Sequence, residues 1–95
     1  MNKTTTTANM VNGIEYPCLF PIKIMGINDI NFLPECIAII RKHCQHFNPE
    51  KDITTKTSAH GKYVSMTANI TAESKAHLDE LYKALNAHEL VKFTL

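Results

Sequence analysis

The stretch from Tyr63 to Ile70 constrains this chain more than any other. Val64, Met66, Ala68 and Ile70 alternate there with Tyr63, Ser65, Thr67 and Asn69. Successive side chains of a strand leave on opposite sides, so the pattern predicts a strand with one apolar and one polar face. Such a strand needs neighbours along its edges and a cover over its apolar face.

The neighbours are legible on both sides. Ile22-Lys23-Ile24-Met25 alternates and stops at Gly26, and Pro21, which lacks an N–H, sets the expected start of that first strand. Ile53 to Ser58 is Thr-rich and alternating, and Ala59-His60-Gly61-Lys62 reads as the hairpin into the Tyr63 strand. Leu90 to Leu95 alternates again, with Val91, Phe93 and Leu95 expected inward and Lys92 and Thr94 outward.

Two helices supply the cover. Asn31 is the expected N-cap of the first, with Pro34 in its opening turn. Leu33, Ile37, Ile40 and Cys44, flanked by Cys36 and Ile39, recur at helical spacing over about Phe32 to Gln45, and Pro49 forbids continuation. Thr71 is the expected cap of the second, whose apolar stripe is Leu78, Leu81, Tyr82 and Leu85.

The order β-α-β-β-α-β predicts an α+β, ferredoxin-like βαββαβ domain over residues 15–95. It is a four-stranded antiparallel sheet with two helices on one face and strands one and three central. Ninety-five residues fit one such domain. Residues 1–14, polar and rich in Thr and Asn, are expected to form a disordered tail, with no apolar segment of the kind a secretory signal carries. Cys18, Cys36 and Cys44 are odd in number and widely spaced, which predicts free thiols in a reducing cytoplasm. No apolar run approaches a membrane span.

The residues also carry a family likeness. Tyr16-Pro17, Phe20 and Lys23-Ile24-Met25-Gly26 resemble the opening signature of the YbeD-like family of small bacterial proteins. So do Ser58 with Gly61-Lys62-Tyr63-Val64-Ser65, and Leu81-Tyr82 with Leu85, Val91 and Leu95. Pro21 departs from the pattern, which more often has a proline just before the Phe. The resemblance implies a cytoplasmic ferredoxin-like domain similar to ACT regulatory domains, without a settled activity. It also implies a link to lipoate metabolism through gene neighbourhood.

The five His lie in no nucleophile motif, and the three Gly form neither a phosphate loop nor a dinucleotide turn. The expectation is a protein that is not an enzyme, holds no cofactor and coordinates no metal. His43, Cys44 and His46 are the metal-ligand types that cluster. They read instead as a helix C-terminus with Cys44 in the core, since structural zinc takes four ligands in spaced pairs.

Two surfaces remain as candidates for a ligand or partner. One is the uncovered sheet face, with Lys23, Met25, Lys56, Tyr63, Ser65, Thr67, Asn69, Lys92 and Thr94, three lysines and no carboxylate. The other is the loop Gly26-Ile27-Asn28-Asp29, where the ACT likeness implies effector binding. The binding residues expected are Lys23, Gly26, Asn28, Asp29, Lys56, Tyr63, Ser65 and Lys92. The leading expectation is a regulatory or adaptor module acting on an unknown protein partner or small-molecule effector. The alternative is single-stranded RNA bound on the open face, for which Tyr63 is the lone aromatic on its strand. A net charge of +1 does not favour nucleic acid. The apolar final strand, guarded by Lys92, is an edge suited to a homodimer.

Overall fold

A computed structural model describes residues 10–11 and 14–95, with side chains from Glu15 onward. Its main elements are β1 (Cys18–Ile27), α1 (Phe32–His43), β2 (Ile53–Thr57), β3 (Tyr63–Ala72), α2 (Lys75–Asn86) and β4 (Val91–Thr94). The sheet order is β2-β3-β1-β4, antiparallel throughout, which is the ferredoxin-like arrangement with strands one and three central. Most of the expected tail lies outside the described residues. Within it, Met10–Val11 pairs with Ile14–Glu15 in a two-residue ladder.

The core forms where the inward strand positions meet the helices. Ile22, Ile24, Met66, Ala68 and Ile70 pack against Phe32, Cys36, Ile40, Leu78, Leu81 and Leu85, all buried. The alternation of β3 therefore faces as its sequence predicts. The stripe of α1 is rotated from expectation: Phe32, Cys36 and Ile40 carry it, and Leu33 is 36% exposed. Phe32 takes the inward place because a glycine opposite leaves room for its ring.

β1 begins earlier than Pro21 suggests, and hydrogen-bond accounting explains it. Pro21 pairs with Asn69, whose N–H turns away to the Asp52 carbonyl at 2.8 Å. The Pro21 nitrogen thus faces the β4 side. There the ladder stops at Lys23, which exchanges bonds of 3.1 and 2.8 Å with Leu95. No strand N–H is required of Pro21, so it is tolerated inside β1.

Asn31 holds the N-cap position of α1 as expected, while the cap of α2 differs. Asn31 makes no side-chain capping bond; the Asp29 carboxylate accepts the Asn31 N–H at 2.8 Å and the Asp29 carbonyl accepts that of Phe32. At α2, β3 runs on through Thr71 to Ala72, and Ser74 is the cap, accepting the His77 N–H at 3.0 Å. Gly61 has φ +72 in the hairpin, a conformation glycine adopts without strain.

β4 corrects the expected side-chain phase. Gly26 pairs with Val91 but Met25 pairs with Phe93, so Lys92 is an extra residue in a β-bulge. Val91 stays buried at 8%, while Phe93 and Leu95, expected inward, are 46% and 69% exposed. Thr94, expected outward, pairs with Ile24 and turns toward α2, where it accepts the Asn86 amide at 3.0 Å.

Candidate functional site

The bulge brings together a surface the sequence pattern did not assemble. One transverse row crosses the uncovered sheet face: Lys56 pairs with Ser65, Ser65 with Met25, and Met25 with Phe93. Tyr63 stands one step along β3 on the same side, 38% exposed. Met25, Tyr63, Val64 and Phe93 line a mostly apolar cleft of ≈ 630 Å³, with Lys56 and Lys92 at its sides. Phe93 is the residue the sequence reading missed here. An isolated glycine in a strand, Gly26, was the available signal of a bulge.

A second, more polar hollow adjoins the first. It measures ≈ 360 Å³ and is lined by Lys23, Thr54, Thr55, Lys56, Ser65 and Thr67. Lys56 and Ser65 belong to both. Among the described residues no acidic side chain lies on this face of the four strands. Lys23, Lys56, Tyr63, Ser65 and Lys92 are thus gathered on one surface.

Gly26, Asn28 and Asp29 are placed elsewhere and have partners within the chain. Gly26 is buried, and a Cβ there would collide with the Phe32 ring and the Leu90 carbonyl. Its close approach is to this chain's own core. The Asn28 amide donates to the Gly61 carbonyl at 2.8 Å, tying the loop to the β2–β3 hairpin, and the Asp29 carboxylate accepts the Asn31 N–H ahead of α1.

The far end of the molecule holds a hollow of ≈ 570 Å³ bounded by His43, Cys44, His46, Asp52, Glu73 and His77 among others. Cys44 Sγ lies 3.8 Å from His77 Nε2, a pairing worth testing as nucleophile and base. The ring's other bonds decide against it. His77 Nδ1 accepts the Glu73 N–H at 3.1 Å, so Nε2 carries the proton and donates it to the His43 carbonyl at 2.7 Å. No lone pair is left to take a proton from Cys44. Burial, reinforced by Glu73, also pushes the Cys44 thiol above its ordinary value. His77 joins the end of α1 to the start of α2, a structural duty no sequence signal announced. Around it, the Asp52 carboxylate accepts the Asn48 N–H at 2.9 Å. Of the expected cluster, Cys44 is buried and His46 exposed, and the described residues contain no group of three or more ligand-type side chains suited to a metal.

A family model described as "Protein of unknown function (DUF493)" matches residues 12–95. The chain belongs to this family. A UPF0250 protein of Janthinobacterium sp. (strain Marseille) is 42% identical over 82 residues, covering 86% of this chain and 89% of that one. A UPF0250 protein of Neisseria gonorrhoeae is 36% identical, covering 96% and 99%. These matches bear out the YbeD-like resemblance. Neither relative's name states an activity. The solution structure of protein HP0495 from H. pylori superposes with a TM-score of 0.62 at 19% identity, covering 86% of this chain and 85% of its own, and supports the fold. No helix among the described residues is long and apolar enough to cross a membrane.

Proposed function

We propose that this chain is a non-catalytic regulatory or adaptor module that works through its open sheet face, taking up a small effector or a segment of a partner protein. One observation carries the reading: Met25, Tyr63 and Phe93 form an apolar cleft at one end of the open sheet face, beside a stretch of Lys, Thr and Ser. Exposed aromatic and Met surface costs hydration free energy, and cover by a ligand recovers it. The module acts in the cytoplasm, in keeping with three free cysteines. The lipoate link implied by the resemblance places lipoate in the panel of ligands worth testing, with amino acids and short peptides. Thermal-shift and NMR screening of wild type against Phe93→Ala and Tyr63→Ala tests the proposal. Binding that weakens in both variants is expected; binding indifferent to both overturns it.

Self-association through β4 is part of the same proposal. β4 is a short sheet edge with Lys92 as its guard, and edges of this kind pair with other strands. Sedimentation analysis giving a monomer at all concentrations removes this element.

A second reading gains from Phe93. Two aromatic rings on the open face, with Lys23, Lys56 and Lys92 beside them, form a platform on which unpaired bases stack. Lys62 Nζ already sits 5.5 Å over the Tyr63 ring, so a stacked base must displace it. Single-stranded RNA binding that falls with salt and with Tyr63→Ala and Lys23→Ala supports this reading. No binding at low salt dismisses it.

A further inference from the structure

The open face is divided, and the division specifies the chemistry of its occupant. The cleft lined by Met25, Tyr63 and Phe93 is mostly apolar, with Thr57, Ser58, Ser65 and two lysines as its polar members. The hollow beside it is lined by two lysines, three threonines and a serine. The two meet at Lys56 and Ser65, which line both, and no wall of secondary structure separates them because they lie on one continuous sheet.

Charge complements shape. Lys23 and Lys56 reach the polar hollow from β1 and β2, and the side chain between them across the sheet is Thr67 or Ser65. Neither lysine has a salt-bridge partner among the described residues. Two unneutralised ammonium groups beside hydroxyl donors attract an anion, and an apolar floor next door holds a hydrocarbon body. A neutral apolar molecule would leave the lysines unused, and a small inorganic anion would leave the cleft wet.

We infer that the site takes an amphipathic organic carboxylate, its apolar body against Met25, Tyr63 and Phe93 and its carboxylate between Lys23 and Lys56. The inference rests on the reading of the open face as the working surface and adds the class of ligand. Ser65, shared by both hollows, sits at the junction of body and head. Thr54 and Thr67 supply hydroxyl donors to the second carboxylate oxygen. Nothing covalent occurs. The carboxylate enters and leaves as an anion.

The test uses the full chain, labelled for amide NMR and titrated with straight-chain carboxylates of increasing length and with the alcohols of equal length. Expected shifts fall at Met25, Lys56, Tyr63, Ser65 and Phe93. Affinity rises with chain length, and the carboxylate binds roughly fivefold tighter than its alcohol at low ionic strength, a preference that shrinks as salt screens it. In Lys56→Gln and Lys23→Gln the acid and the alcohol bind alike. In Phe93→Ala both weaken together. Acid and alcohol binding equally to wild type at the open face overturns the ligand class but leaves the working surface standing. Shifts confined to the His77 end of the molecule overturn both, and absence of binding by every probe overturns the ligand class.

Discussion

Replacing Gly26 by alanine adds one methyl group at the point where the fold has least room for it. The new Cβ would point into the Phe32 ring and the Leu90 carbonyl. Phe32 is 1% exposed and held in the core, and the Leu90 oxygen already accepts the Ile27 N–H at 3.0 Å. A flexible side-chain tip would swing aside; a backbone carbonyl and a packed ring do not. Overpacking of this kind costs about 1–3 kcal/mol, and stretching the Ile27–Leu90 bond adds about 1 kcal/mol. The sum, roughly 2–4 kcal/mol, is a large part of the 5–15 kcal/mol typical of a domain. Urea denaturation of Gly26→Ala should show a lower midpoint with an unchanged m-value, and a melting temperature lower by roughly 10–25 °C. Pairing the change with Phe32→Leu relieves one of the two collisions, so the double variant should lose less than the sum of the singles. A variant within ~0.5 kcal/mol of wild type would refute the claim that the strand needs glycine here. The same experiment bears on function, because Gly26 sits at the bulge that turns Phe93 outward.

Other predictions concern the helix junction and the thiols. Ser74→Ala removes the cap of α2 and should cost about 1 kcal/mol in chemical denaturation, and His77→Ala, which breaks the bonds to His43 and Glu73, about 1–3 kcal/mol. Burial, with Glu35 adding to it, pushes the Cys36 thiol up to about 11. The unfolded chain then releases that proton from about pH 9 while the folded chain keeps it, so stability falls between about pH 9 and 11, by on the order of 2 kcal/mol. Tyr82, raised by its own burial, works in the same direction at higher pH. Equilibrium unfolding across this range should show a shallower decline in Cys36→Ala. Thiol labelling of the native protein near pH 8 should modify half-buried Cys18 first, with Cys36 and Cys44 protected; equal rates at all three would contradict their burial.

What the sequence revealed and what it hid follow from how far each feature reaches along the chain. The β3 alternation from Tyr63 to Ile70 and the α2 stripe of Leu78, Leu81 and Leu85 are periodic within one element, and both face as read. Phe93 was misplaced because its orientation is set by a bulge against β1, and period-two reading of Leu90 to Leu95 contains no trace of the inserted residue. The start of β1 was hidden for a similar reason: Pro21 is acceptable because β4 pairs no further than Lys23, which is a fact about another strand. Asn31 was read correctly as the cap of α1, whereas the cap of α2 falls at Ser74 because β3 runs on past Thr71, and both are hydroxyl residues that local sequence alone does not rank. Lysines of the candidate site were legible as outward positions. Their assembly around an apolar cleft was not, since that needed the register of all four strands.

The proposed function requires that molecules dock on the side of the sheet left bare by the helices. Mapping amide shifts of the labelled protein on addition of extract from its own source cells measures this directly. Perturbations concentrated at Met25, Tyr63, Ser65 and Phe93, and lost in Phe93→Ala, are the predicted result. Perturbations confined to α1, α2 or the His77 end, with the β1 and β3 amides of the bare side unmoved, would contradict it.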